Sequence, residues 1–267
     1  MPSASRFFLA TATILVAVSL NGCSGLLSLI PTLSPNTIPV TGNWQVASSS
    51  TTATHLSAIS GELTGNSASM KGIFHADSAT ACVSPSTSFD LAGSANAQNV
   101  LTLSGAVAGG TLSITGTLAA NGKSLTNATY NVTGGSCAFA APVTAMAQSY
   151  ASITGNYTGS FSDPGGNVIN ITAQLSQTPA SDADGNFQLS GTGTFPSNPC
   201  FNSPVTIANS QVTGGSFTLT YTDSVTTNSV TASGTFSTDG TTLTVTSWTL
   251  SGPCGPDSGT GLLTVQP

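Results

Sequence analysis

The most unusual feature of the sequence is its shortage of charged side chains. Asp, Glu, Lys and Arg make up 4% of the 267 residues, whereas a soluble domain typically has about 25%. So few strong bases cannot neutralise the phosphates of a nucleic acid, and they cannot form a polybasic membrane patch. The chain is nevertheless 39% hydrophobic. Because disordered chains combine low hydrophobicity with high net charge, this composition predicts a buried core.

Side chains suited to catalysis are equally scarce. Apart from scattered Asp residues, the chain offers only His55, His75 and Glu62 for acid–base or metal chemistry. His75 and Asp77 are two positions apart on a predicted strand and would face the same way. No Gly-x-Ser-x-Gly nucleophile motif accompanies them. We therefore predict ordinary histidines, and a protein that is not an enzyme.

The N-terminal segment has the parts of a secretory signal. Arg6 precedes the uncharged stretch Phe7–Leu20, which is shorter than the roughly 20 apolar residues of a membrane-spanning helix. The tetrad Leu20-Asn21-Gly22-Cys23 resembles the lipobox of bacterial lipoproteins. The resemblance implies that residues 1–22 are a signal peptide and that Cys23 becomes the lipid-bearing first residue. An uncleaved membrane anchor is the alternative.

Residues 23–39 are predicted to form a tether between the lipid and the folded part. Pro31, Pro35 and Pro39 forbid a helix there, and an extended chain of this length would lift the folded part by up to roughly 50 Å. In the lipoprotein family, Ser24 directly after the cysteine goes with transport to the outer membrane. The resemblance therefore implies an exported protein, lipid-anchored to the bacterial cell envelope at the outer membrane.

The rest of the chain is an internal repeat. Thr41-Gly42-Asn43-Trp44 returns as Thr154-Gly155-Asn156-Tyr157, and each copy has two cysteines at nearly the same separation. Four cysteines allow three pairings, and the matching separations predict one disulfide in each copy, Cys82–Cys137 and Cys200–Cys254. An exported compartment permits disulfides. No close Cys-x-x-Cys spacing indicates a metal site.

Each copy consists of runs that alternate apolar and hydroxyl side chains, as in Val100–Ser104, Thr111–Thr115 and Leu243–Thr246. A period of two is typical of half-buried strands, and β-branched Thr and Val favour them. Asn121-Gly122 and Asp239-Gly240 lie between such runs and predict hairpin turns. With roughly seven or eight strands per copy, the predicted fold class is all-β, with two tandem homologous antiparallel domains that are barrels or sandwiches.

The repeat also sets the domain boundaries. We predict β domain 1 over residues 40–148 and β domain 2 over residues 152–267, with Ser149-Tyr150-Ala151 between them. So short a connection predicts that the two bodies touch. A single merged sandwich of both copies is the alternative.

Both copies begin with a Gly-x-aromatic motif. Gly42-Asn43-Trp44 and Gly155-Asn156-Tyr157 resemble the Gly-x-Trp of lipocalins and related calycin barrels. The resemblance implies a barrel that can hold a small apolar ligand. A late strand of each copy supplies a second aromatic, so the four aromatics of interest are Trp44, Tyr130, Tyr157 and Trp248. We interpret them as packed core pairs, with an exposed platform for a sugar ring as the alternative.

The segment Asp182-Ala183-Asp184-Gly185-Asn186 resembles part of a calcium loop. Asp182 and Asp184 are therefore the strongest candidates for a metal ligand in the chain. The bidentate Glu that a full loop needs does not follow, and Asp and Gly favour turns on their own account. We predict a hairpin tip, with no metal and no cofactor.

Together these features predict a lipid-anchored cell-envelope protein of two disulfide-bridged β modules with a non-catalytic binding or structural role. A calycin-like carrier of a small apolar ligand is the alternative, and a hydrolase is the third hypothesis. The expected partners are the membrane, through the lipid anchor, and a glycan, a protein or a small apolar ligand. Nucleic acid is excluded by the charge.

Overall fold

The computed structural model describes residues 37–48, 56–80, 82–202 and 204–267. These residues form two closed antiparallel barrels of eight strands each. Within each barrel, every strand pairs with its neighbours in sequence, and the first strand pairs with the last. The prediction of an all-β chain with two tandem β domains is confirmed. Both domains are barrels, and the copies do not merge into one sandwich.

The strands of each barrel follow one another without a crossover. Barrel one consists of β1 (Gly42–Ser48), β2 (Ala58–Asn66), β3 (Ser69–Ala76), β4 (Ser88–Ala95), β5 (Val100–Val107), β6 (Gly110–Leu118), β7 (Ser124–Thr133) and β8 (Val143–Tyr150). Barrel two consists of β9 (Gly155–Ser162), β10 (Val168–Gln177), β11 (Phe187–Thr194), β12 (Val205–Thr213), β13 (Ser216–Thr222), β14 (Ser229–Phe236), β15 (Thr242–Ser251) and β16 (Asp257–Val265).

The alternation of apolar and hydroxyl residues directs one set of side chains into each lumen. In β6, Leu112 and Ile114 are fully buried whereas Thr111 is exposed, as the pleat of a strand requires. The buried side chains of each barrel form one continuous apolar cluster. In barrel two, the ring of Phe161 stacks on that of Trp248 with 5.7 Å between centroids. Both lumens are therefore occupied by the protein's own core.

The up-and-down strand order places alternate turns at opposite ends of each barrel. We call the end at which the first strand of a barrel begins its proximal end, and the opposite end its distal end. Both disulfides lie at distal ends. Cys82 bonds Cys137 across 55 positions in barrel one, and Cys200 bonds Cys254 across 54 positions in barrel two. These are the pairs that the repeat predicts.

The chain reaches barrel one at its proximal end. Pro39 forms an isolated bridge with Asn66, and the amide of Val40 donates to the carbonyl of Gly65 at 3.2 Å. The indole Nε1 of Trp44 donates to the carbonyl of Val40 at 2.7 Å, which fixes the incoming segment against the barrel. Within the part of the chain that is described, no helix is long and apolar enough to span a membrane.

Candidate functional site at the junction of the barrels

The two barrels meet where the proximal end of barrel two packs on the outer face of β1, β2 and β3. Six outward-facing residues of barrel one form this surface, which we call the docking patch: Asn43, Gln45, Ser60, Glu62, Ile73 and His75. They lie in two rungs, because β1, β2 and β3 pair in register at these positions. Asn43 and Ser60 are buried although they point away from the lumen. Barrel two therefore covers this flank of barrel one.

The turn between β12 and β13 makes the most direct contact with the docking patch. The side-chain Nδ2 of Asn43 donates to the carbonyl of Gly214 at 2.7 Å, and the amide of Gly214 donates to Oδ1 of Asn43 at 2.9 Å. The side chain thus pairs with both main-chain groups of one residue, as a neighbouring strand would. Both bonds are buried, and burial makes their loss costly.

Two consecutive glycines allow this close approach. A Cβ atom at position 214 would lie 2.2 Å from Oγ of Ser60, and Gly214 has a φ of +53° that side chains rarely adopt. A Cβ atom at position 215 would lie 2.6 Å from the ring of Tyr150. The Gly214-Gly215 turn between β12 and β13 is therefore a contact element as well as a turn.

The loop between β10 and β11 makes the second contact. The amide and the hydroxyl of Ser181 both donate to Oε2 of Glu62, at 2.9 and 2.8 Å. Further along the loop, a Cβ at Gly185 would lie 2.7 Å from the carbonyl oxygen of Ile73, so the main chains of the two barrels touch there. Barrel one has only the short Asn66–Ser69 turn at the corresponding place.

His75 is held at the edge of this contact. Its Nδ1 lies 2.7 Å from the carbonyl oxygen of Asp184. Because a carbonyl only accepts, the proton is on Nδ1, and Nε2 is the nitrogen left for other partners. His75 is 5% exposed. The imidazole is therefore fixed in orientation by the other barrel.

A cleft of about 390 Å³ opens beside these contacts and has walls from both barrels. We call it the junction cleft. Its polar lining consists of His75, Asp77, Ser86, Asp184, Asn186, Gln211, Thr213, Ser216 and Thr218. Among the described residues that line it there is no lysine or arginine. The site is thus rich in hydrogen-bonding groups and has no cation to hold an anion.

Asp77 lies in the junction cleft without a hydrogen bond to His75. Its Oδ2 accepts a hydrogen bond from Nε2 of Gln45 at 2.6 Å. Partial loss of water around the carboxyl raises the pKa of Asp77 above its usual value, and the Ser60 hydroxyl, the Gln45 hydrogen bond and the nearby His75 offset only part of this. The sequence predicts that His75 and Asp77 share a strand face, but β3 ends at Ala76. The two side chains have different hydrogen-bond partners.

A second cleft, of about 380 Å³, lies on the linker side of the junction. It is bordered by Lys123, Gln148, Tyr150 and Asp239 among others. The Tyr150 hydroxyl donates to Oε1 of Gln45 at 3.1 Å, and its ring packs on that of Phe236 at 5.2 Å. Tyr150 is therefore a packing residue of the junction. We call the second cleft, which Tyr150 borders, the linker cleft.

The four predicted aromatics are core residues. Trp44 is 2% exposed and the other three are 1% exposed. Each side-chain O–H or N–H of the four donates to a main-chain carbonyl. Tyr130, Tyr157 and Trp248 donate to the carbonyls of Leu56, Gly240 and Thr260, respectively. Burial raises the pKa of Tyr130 to about 12. None of the four presents an exposed ring to a sugar, and all four are packed in the barrel cores. The ring contacts of Tyr130 and Trp248 are with Phe139 and Phe161, which differ from the partners expected within each pair.

The calcium-like segment is the tip of the β10–β11 loop. Asp182 Oδ1 accepts from the amides of Asp184 and Asn186 at 3.0 and 2.9 Å, and Oδ2 accepts from Nε2 of Gln188 at 2.8 Å. One carboxylate therefore organises its own turn. Among the residues with assigned positions, no group of three His, Cys, Asp or Glu could hold a metal ion. Cys23 and His55 lie outside the described residues.

The docking patch is the feature that sequence reasoning missed. One signal for it is visible in β3, where Ile73-Phe74-His75-Ala76 breaks the alternation seen elsewhere. A strand that loses its alternation is covered on both faces. A second signal is the loop around Asp182 in the second copy, which is longer than the matching Asn66–Ser69 turn of the first copy.

Comparison with known proteins adds one remote likeness. No protein-family model matches the chain, and no curated protein matches it. A solved structure that matches is the crystal structure of kievitone hydratase from Nectria haematococca, with 90% of this chain and 93% of that chain covered at 11% identity. The TM-score is 0.23, which is too low to indicate a shared fold.

Proposed function

We propose that the protein is a lipid-anchored binding protein of the bacterial cell envelope, non-catalytic, whose ligand occupies the junction cleft. The anchoring is supported by the lipobox-like tetrad that ends in Cys23. It is also supported by cysteine use, since four of the five cysteines form the two disulfides and Cys23 is the one left over.

The observation that carries the binding role is the composite wall of the junction cleft. One wall belongs to the end of β3 and the β3–β4 loop of barrel one, and the other to β12, β13 and the β10–β11 loop of barrel two. Small-molecule sites occur preferentially between domains, in clefts of roughly 300–1,000 Å³. The volume of about 390 Å³ lies in this range.

Binding in the cleft has more support than carriage inside a barrel. The lumen of barrel two holds Phe161, Phe195, Tyr221 and Trp248 in mutual ring contacts of 5.6–6.4 Å. Interiors packed in this way leave little room for a guest. Carriage of an apolar ligand, which the Gly-x-Trp resemblance implies, has no such observation in its favour.

A non-catalytic role is supported by the way in which the polar groups of the cleft are used. His75, the histidine within the described residues, donates a hydrogen bond to the main-chain carbonyl of Asp184. Asp77 accepts one from the side-chain amide of Gln45. In a hydrolase triad, the histidine would instead join a carboxylate to a nucleophile.

Anchoring is tested by mass spectrometry of the protein isolated from membranes of a bacterial host. The expected N-terminal peptide begins at Cys23 and carries acyl chains, and Cys23→Ser leaves the leader attached and the protein unlipidated. An unmodified Cys23 in the wild-type protein would contradict the proposal.

The binding role is tested by hydrogen–deuterium exchange of the full lipidated protein in detergent, with and without envelope extract. Slower exchange is expected in β3 near His75 and over Gln211–Thr218, the two walls of the junction cleft. Peptides bordering the linker cleft, around Lys123 and Thr238, are the internal control. Unchanged exchange at both walls would overturn the binding role, and protection confined to strands away from both walls, such as β5 and β6, would favour carriage.

A further inference from the structure

We infer that the junction cleft takes an uncharged, hydroxyl-rich ligand, a neutral oligosaccharide. This inference rests on the proposed binding role of the cleft and specifies the chemical class that its walls accept. Three observations carry it: the charge of the lining, the small number of apolar side chains in it, and a set of hydrogen-bonding side chains that have no partner within the described protein.

The charge of the lining disfavours anions. The ionisable groups at the cleft are His75, Asp77 and Asp184, and the whole chain has a formal net charge of −6. A phosphate, a sulfate or a carboxylated sugar would meet two carboxylates with no Lys or Arg in the described lining to balance their charge. Anion recognition depends on Arg, Lys or converging main-chain amides, and the first two are absent from the described lining.

Apolar side chains are a minority of the residues that line the junction cleft. The apolar lining residues are Ala76, Pro85 and Phe217. Ala76 is 0% and Phe217 is 3% exposed, because both belong to barrel cores. Sites for apolar ligands are lined predominantly by hydrophobic and aromatic side chains, whereas nine of the twelve lining residues here are polar.

One wall carries side chains whose hydrogen-bonding capacity is unused. Gln211 in β12 lies opposite Thr218 in β13, and Thr213 lies opposite Ser216 on the next rung toward the turn. Thr213 bonds Oδ1 of Asn186, whereas the side chains of Gln211, Ser216 and Thr218 make no hydrogen bond to described residues. Water satisfies such groups when no ligand is present, and a sugar hydroxyl can replace that water bond for bond.

The opposite wall supplies groups that suit the same ligand. With the proton of His75 on Nδ1 and bonded to Asp184, a neutral imidazole offers Nε2 as an acceptor. A sugar hydroxyl both donates and accepts, so it can bridge an acceptor on one wall and an amide or a hydroxyl on the other. A fixed imidazole is preorganised, which reduces the entropic cost of binding.

The test is isothermal titration calorimetry of the full lipidated protein in nanodiscs. The neutral probes are cellohexaose, maltohexaose and chitohexaose. An oligogalacturonate represents anions, spermidine represents cations, and N-phenyl-1-naphthylamine represents apolar ligands. We expect a neutral hexasaccharide to bind, and the double variant Gln211→Ala, Thr218→Val to weaken it about tenfold or more. Thr238→Ala at the linker cleft is the matched control and should leave the affinity unchanged.

The outcomes separate the ligand class from the binding role. If spermidine, the oligogalacturonate or the naphthylamine binds and the double variant weakens it, the ligand class is wrong and the cleft remains a binding site. If no probe binds while envelope extract still protects both walls from exchange, the ligand class is again overturned. If neither titration nor exchange shows an effect at the walls, both proposals are overturned together.

Discussion

The Asn43 side chain and the Gly214 main chain are joined by a hydrogen bond in each direction, across 171 positions of sequence. Asn43 is the middle residue of the Gly-Asn-aromatic motif that opens both copies of the repeat. In the second copy, Asn156 is exposed and its main-chain carbonyl accepts from the Gln266 amide at 2.7 Å. The same motif therefore begins both barrels, and only its first copy joins one barrel to the other.

This difference predicts unequal effects of the same substitution in the two motifs. Asn43→Ala leaves the amide and the carbonyl of Gly214 buried without partners, so we expect the free energy of unfolding to fall by about 2–4 kcal/mol. Asn156→Ala removes an exposed side chain and should change it by less than about 0.5 kcal/mol. Differential scanning calorimetry of both variants measures this, and equal losses would contradict the assigned contact.

Glycine substitutions separate backbone strain from contact between the barrels. Gly166 has a φ of +85° with no atom within 4 Å of an added Cβ, whereas a Cβ at Gly214 would meet Ser60 at 2.2 Å. We expect Gly166→Ala to lower the free energy of unfolding by about 1–2 kcal/mol, because its φ alone is unfavourable for a residue with a Cβ. Gly214→Ala should cost a further 1–3 kcal/mol or so, from the overlap. Urea unfolding gives both values, and small-angle scattering should show the barrels separating only in the Gly214 variant.

Two buried tyrosines should respond in opposite directions to loss of the hydroxyl. The Tyr221 hydroxyl is buried and has no hydrogen-bond partner among the described residues, whereas that of Tyr157 donates to the carbonyl of Gly240 at 2.6 Å. Since an unpaired buried hydroxyl is costly, Tyr221→Phe should raise the free energy of unfolding by about 1 kcal/mol. Tyr157→Phe should lower it by about 1 kcal/mol. Destabilisation by Tyr221→Phe would show that the hydroxyl has a partner, such as a buried water.

Two carboxylates should affect the pH dependence of stability with opposite signs. Hydrogen bonds from Ser237 and Thr241 lower the pKa of Asp239 to about 2, against an unfolded value of roughly 3.9. Its contribution is therefore complete above about pH 4 and is lost as the pH falls toward about 2. Asp239→Asn should lower the melting temperature at pH 7, and this effect should vanish near pH 2.

Asp77 should behave in the reverse manner. Its folded-state pKa is raised, so ionisation of this residue opposes folding, and its penalty is present above the folded pKa and disappears as the pH falls below the unfolded value. Asp77→Asn should raise the melting temperature at pH 7 and leave it unchanged near pH 3. The melting temperatures of the two variants and the wild-type protein across pH 2–7 check both signs.

Much of the fold follows from local sequence. Alternating runs such as Thr111–Thr115 specify strands, and turns such as Asn121-Gly122 specify hairpins, because pleat and turn geometry depend on residues that are adjacent in the chain. The disulfides were predictable for a different reason. A duplicated chain repeats its spacing, so Cys82 and Cys137 identify the pairing of Cys200 and Cys254.

The junction could not be predicted in the same way. Whether Ser60 or Glu62 faces water or another barrel depends on contacts with Gly214 and Ser181, more than one hundred positions away. The alternation within a strand gives no information about such distant contacts. The closed barrel also needed the structure, since a sandwich satisfies the same alternation. The irregular run Ile73–Ala76 was the local sign that β3 is covered on both sides.

The attachment of the first described residues has a mechanical consequence. Ile38 and Ser67 exchange hydrogen bonds at 2.8 and 3.0 Å, and Val40 bonds Gly65 beside them. A force applied at Thr37 therefore acts on several hydrogen bonds, and these must break together before the force reaches β1. Barrel two joins the chain only beyond Tyr150, so none of these bonds depends on its contacts with barrel one.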